Sequence, residues 1–71
     1  MHEVLRSNDP TIIAFASVIL SGEGIEVFEF DVNMSLLEGS IGILPRRLMV
    51  RRQDLHRARI ALRDNGLEVS P

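Results

Sequence analysis

Apolar positions along this chain repeat with two different periods, and the switches between them mark out alternating strands and helices. Glu3-Val4-Leu5-Arg6 is short and partly apolar, and Ser7-Asn8-Asp9-Pro10 stops it, so it reads as a strand entering a turn. Asp9 and Pro10 predict a helix start. The Asp carboxylate can accept the free amide hydrogens of the first turn, and Pro at the first helical position gives up no bond. Ile12, Phe15, Ala16, Ile19 and Leu20 follow at three- and four-residue spacing and form the expected inner face, with Ser17 and Ser21 opposite. Gly22 and Gly24 supply the stop. Ile25–Asp31 is a second strand, rich in β-branched and aromatic residues, with Val27 on one face and Phe28 and Phe30 on the other.

Val32–Pro45, with Gly39, Gly42 and Pro45, is expected to be a long connection with one helical turn at Met34–Glu38. Its length of about 14 residues is above the common range and typical of functional or mobile loops. Arg47–Arg51 is a third strand around Leu48-Met49-Val50. Gln53–Asn65 is a second helix with Leu55, Ala58 and Leu62 on its inner face and Ile60 outside, where it can rim a subunit contact. Gly66 ends that helix, and a short last strand contains Val69.

The predicted order is β-α-β-β-α-β, an α+β ferredoxin-like arrangement in which a four-stranded antiparallel sheet carries both helices on one face. Residues 1–71 are expected to form a single such domain. Phe28 and Phe30 lie on the opposite parity to Val27, so the sheet has apolar side chains for both faces. This predicts a homodimer or higher homo-oligomer through the open sheet face.

Composition sharpens this picture. A chain of 71 residues holds one small core, and a core of this size rarely supplies more than ~3–5 kcal/mol of net stability. Cysteine is absent, which excludes disulfides and thiolate metal sites and leaves association as the remaining support. With 45% apolar and 25% charged residues, the composition is that of a globular protein. The apolar run Thr11–Leu20 is too short for a bilayer, which needs roughly 20 residues. The N-terminus carries an acid and no basic leader segment, so the expected location is cytoplasmic, with no membrane contact.

The net charge of −2 conceals a strong asymmetry. Residues 1–45 carry seven acids against Arg6, and residues 46–63 carry seven arginines against Asp54. Such a dipolar chain can steer an anionic partner or another copy of itself. The absence of Lys, even at surface positions where either cation would serve, points to codon bias rather than to a need for bidentate recognition. Strand alternation sends Arg46 and Arg47 to opposite faces, which splits the basic cluster, so most of these arginines are expected to pair at the rim with the acidic half.

The loop after the first strand lacks the Cys-x-x-Cys of heavy-metal-binding domains, and the first and third strands lack the aromatics on which RNA bases stack. His2 and His56 have no metal-ligand spacing. Gly39-Ser40-Ile41-Gly42 offers amide hydrogens to an anion but lacks the Gly-Lys-Ser/Thr ending of a phosphate loop. No nucleophile–base pair stands out. These observations predict a non-enzymatic regulatory or interaction module without a cofactor, binding a small anionic ligand or protein partner near residues 38–47. Gly39, Ser40, Gly42, Arg46 and Arg47 are its candidate residues. The alternative is a small nucleic-acid-associated protein using the Arg-rich 46–63 segment, which the acidic first half disfavours.

Asn8-Asp9-Pro10, Gly24-Ile25-Glu26, Met34-Ser35-Leu36-Leu37-Glu38-Gly39-Ser40 and Leu44-Pro45-Arg46-Arg47-Leu48-Met49-Val50 together resemble the small bacterial "putative signal transducing protein" family. The resemblance runs from about Val4 to Leu67. It implies a ferredoxin-like fold, related to that of the trimeric nitrogen-regulatory signalling proteins, and brings no catalytic residue with it. The chain departs from the family pattern at Arg51-Arg52-Gln53, where relatives carry acidic or small residues.

Overall fold

A computed structural model describes residues 1–31 and 45–70. The elements run β1 (His2–Ser7), α1 (Pro10–Gly22), β2 (Phe28–Asp31), β3 (Arg46–Val50) and, after a 3₁₀ turn at Arg52–Asp54, α2 (Leu55–Asp64). The expected turn at Met34–Glu38 lies outside the described residues.

The protein is α+β, with an antiparallel sheet in the order β1-β3-β2 and two helices. Three strands are found among the described residues, where four were expected. Residues 67–70 do lie beside β1, but a single backbone bond ties them there, from the Ser70 amide to the Val4 carbonyl at 2.9 Å. One bond is not a ladder.

β3 fixes the register of the sheet. Leu5 stands opposite Leu48 and Arg6 opposite Arg47 on one side; Phe28 stands opposite Met49 and Phe30 opposite Arg47 on the other. The β1–β3 register shifts between Glu3 and Leu5. This bulge lets the consecutive residues Val4 and Leu5 both be buried, which an alternating strand cannot do. Leu48 and Val50 face the helices and are fully buried with Val4, Leu5, Ile13, Ala16, Leu20, Ala58 and Leu62. Val27 packs against this core, so the expected split of Val27 from Phe28 and Phe30 is found.

The phase of α1 differs from its expected inner face. Ile13, Ala16 and Leu20 are buried, with Ile12 and Ile19 half-buried at their flanks, while Phe15 faces outward and remains 46% exposed. The physical reason is composition: none of the 13 residues of α1 is charged, so hydropathy hardly distinguishes its faces. On α2, where charges mark the outer surface, Ala58 and Leu62 are buried as expected.

Both helices end in the same way. At Leu20–Ile25 the Gly24 amide bonds the Ser21 carbonyl and the Ile25 amide bonds the Leu20 carbonyl, each at 3.0 Å. At Leu62–Leu67 the Gly66 amide bonds Arg63 at 2.9 Å and the Leu67 amide bonds Leu62 at 3.0 Å. These are two Schellman motifs, with Gly24 at φ +74° and Gly66 at φ +80° in the left-handed region that only glycine enters readily. Gly24-Ile25-Glu26-Val27 and Gly66-Leu67-Glu68-Val69 are 42 residues apart, and the same offset relates Ile13 to Leu55, Ala16 to Ala58 and Leu20 to Leu62. The two halves therefore repeat one frame of helix, glycine stop and the four residues after it. The offset sets Ser70 opposite Phe28, the first residue of β2, so its bond to β1 is the counterpart of the point where β2 begins.

Candidate functional site

Strand alternation sends every second residue of the sheet away from the helices, and the register makes these residues a small grid. Arg6, Arg47 and Phe30 form one row across β1, β3 and β2; Glu3, Met49 and Phe28 form the next. Arg51 and Glu26 follow at the edge, paired at 3.1 Å, with the Arg51 guanidinium 5.7 Å from the centre of the Phe28 ring. Phe30 is 42% exposed, whereas Phe28 and Met49 are half-buried by their neighbours. The open face is thus an apolar strip along β2 and β3 with charged groups around it.

Most of those charges are matched. Arg6 donates to Glu3 Oε1 through Nη2 at 2.9 Å and through Nε at 3.2 Å. Glu3 also accepts the Ser70 hydroxyl at 2.6 Å, which ties residues 67–70 to β1 by a side chain as well as by the backbone. Burial acts to raise the Glu3 carboxyl, but the Ser70 and Arg6 hydrogen bonds and the charges of Arg6 and Arg47 together lower it below its usual value. Arg47, at the centre of the face, differs. No ion pair joins it to a carboxylate among the described residues, and its Nε is buried without a hydrogen-bond partner. Its Nε is screened from water beside Phe30 and Met49 while the residue as a whole is half-buried, so a carboxylate that reaches the guanidinium gains a charge-assisted contact on a partly apolar surface.

Arg46 and Arg47 point to opposite sides, as alternation predicts. Arg46 shares the parity of Leu48 and pairs with Glu29 at 2.9 Å. Two pairs, Arg46–Glu29 and Arg51–Glu26, join the basic half to the acidic half, as the charge pattern predicts, and Arg57 pairs with Asp54 at 3.4 Å within its own half. The structure therefore separates two of the candidate residues, and the other three, Gly39, Ser40 and Gly42, lie outside the described residues. Sequence reasoning gave Phe28 and Phe30 the right face but missed Met49 beside them. The period of two around Leu48 and Val50 would have placed it there.

Two clefts lie elsewhere. One of about 330 Å³ opens between the end of β1 and the turn after α2, lined by Leu5, Arg6, Ser7, Ile12, Leu67 and Glu68 among others. One of about 180 Å³ lies between Glu23 and the outer flank of α2 at Arg57, Ile60 and Asp64. Neither includes Arg46 or Arg47. Among the described residues no group of three or more His, Asp or Glu side chains could hold a metal ion, and no helix is long and apolar enough to cross a membrane.

The model of a family described as "Putative prokaryotic signal transducing protein" matches residues 1–66. No curated protein matches the chain.

Proposed function

The chain belongs to the family described as "Putative prokaryotic signal transducing protein", and from that premise we propose that it is a non-enzymatic regulatory module working through the open face of its sheet. The carrying observation is Arg47, whose buried Nε lacks a partner in the middle of an apolar strip. A carboxylate brought to this guanidinium makes a charge-assisted contact, and Phe28, Phe30 and Met49 on the same face reward apolar groups next to that carboxylate. The partner is a protein segment or small molecule that presents both. The ion pairs of Arg46, Arg51 and Arg57 weigh against the nucleic-acid alternative, because these pairs break up the positive stripe that a phosphate backbone would follow.

A thermal-shift screen of the full chain against amino acids, nucleotides and acidic peptides tests the proposal. Arg47→Gln is expected to abolish the stabilisation given by a carboxylate ligand, and Arg46→Gln, on the other side of the sheet, to leave it in place. Stabilisation unchanged by Arg47→Gln would remove the open face from the account.

A further inference from the structure

The outward side of α1 is a second surface, on the other side of the molecule. Thr11, Ala14, Phe15, Val18 and Gly22 recur at three- and four-residue spacing and are all exposed, Val18 to 70% and Phe15 to 46%. With no charged residue along its 13 positions, α1 is uncharged on all sides, and this outward strip is polar only at Thr11.

The repeat supplies an internal control. Moving 42 residues along, the same outward positions on α2 are Gln53, His56, Arg57, Ile60 and Asp64. The same frame therefore folds with Arg at the place of Phe15 and Asp at the place of Gly22. The core does not require an apolar outer face on α1.

We propose that this face of α1 is a self-association surface, and that its occupant is α1 of a second copy. Charge selects the occupant. An uncharged strip has no counter-group for a charged partner, whereas an identical strip meets it without like-charge contact. A second copy stacked over the open sheet face would instead have to accommodate an Arg47 side chain from each copy, since Arg47 stands on that face. Antiparallel pairing of α1 with its copy sets Phe15 against Val18 and Val18 against Phe15, with Thr11 near Gly22, where the space beyond the glycine is open. A 13-residue helix is about 20 Å long. One such contact buries less than the ~800 Å² per partner of a standard stable interface, so the dimer forms at micromolar concentrations and above.

Sedimentation velocity of the full chain from about 1 µM to about 1 mM is the test. The wild type is expected to pass from monomer to dimer across that range. Phe15→Arg combined with Val18→Glu is expected to stay monomeric throughout, with an unchanged far-UV spectrum. Phe15→Arg carries little folding risk, since the second half has Arg at that place, and the milder Val18→Thr, expected to raise the dissociation constant several-fold, serves if the double variant does not fold. Phe30→Ser, on the sheet face, is expected to leave association unchanged. A wild type monomeric at about 1 mM would overturn the proposal, as would a dimer that survives the helix variants or is lost in Phe30→Ser. Ligand binding at Arg47 is read separately by thermal shift, so failure of either proposal leaves the other standing.

Discussion

Leu20 and Leu62 occupy the same place in the two halves of the molecule. Each is fully buried, each gives its carbonyl to the residue after a left-handed glycine, and each is followed by a Gly-(Ile/Leu)-Glu-Val run. Around them the halves diverge. α1 starts from Asp9, whose carboxylate accepts the Thr11 amide at 2.9 Å, with Pro10 next. α2 starts from a 3₁₀ turn with no side-chain cap, and it carries charge along its outer face. The comparison separates what the frame demands from what it tolerates. Three apolar positions per helix and one glycine stop are kept; the cap, the outer face and the charge are free to differ. Features found in one half alone need a reason outside the frame, and the exposed apolar strip of α1 is the largest of them.

Equivalence in the core is the first thing to break. Leu20→Ala and Leu62→Ala each empty a fully buried site, and each is expected to cost about 2–5 kcal/mol. In a chain this small, either loss consumes most of the stability, so urea unfolding should show both variants largely unfolded or close to it. If one is tolerated with a loss below about 1 kcal/mol, the halves share a sequence pattern without sharing the core.

The same comparison shows what could be read before the structure. The first three strands, both helices and both stops follow from local chemistry: Asp9-Pro10, Gly24, Gly66 and the apolar periods. The phase of α1 does not follow, because a helix with apolar residues on every side gives hydropathy nothing to choose between. Alignment with the second half would have settled it, since Ile13, Ala16 and Leu20 match Leu55, Ala58 and Leu62, whereas Phe15 matches Arg57. The bulge at Val4 and the single backbone bond at Ser70 are tertiary facts that no local pattern encodes. At the candidate site, parity was enough to part Arg46 from Arg47, and the charge pattern to predict pairing between the acidic and basic halves. It could not single out Arg47, because its dry Nε depends on what the neighbouring strands place beside it.

Capping sharpens the comparison at a smaller scale. Asp9→Ala removes a bond to the first turn of α1 and is expected to cost about 1 kcal/mol. Asp54→Ala, at the start of α2, removes no cap bond, only an exposed-partner ion pair with Arg57, and is expected to cost under about 0.5 kcal/mol. Thermal melts of the two variants side by side decide it. Equal losses would show that α2 relies on Asp54 as α1 relies on Asp9, and the asymmetry at the helix starts would disappear.

Glu3 gives the smallest effect and the only one with a pH signature worked out from the site. Its carboxylate joins Ser70 to β1 and pairs with Arg6, and its folded-state pKa lies below the ordinary value of 4.5. A depressed carboxyl adds stability that is fully present above its unfolded value and is lost as pH falls through its folded one. The contribution should therefore be intact at neutral pH, fade below about pH 4.5 and be gone once the folded carboxyl is protonated, a change of under about 1 kcal/mol for so exposed a pair. Glu3→Gln keeps an oxygen to accept the Ser70 hydroxyl but loses the charge facing Arg6 and Arg47. Melting temperatures of wild type and Glu3→Gln are expected to differ slightly at pH 7 and to converge as pH falls below 4, while the protection factor of the Ser70 amide, taken against intrinsic exchange at each pH, falls in the wild type over the same range. A gap that stays constant with pH would show that the carboxylate charge contributes nothing there, and that the backbone bond to Val4 alone holds residues 67–70 to the edge of β1.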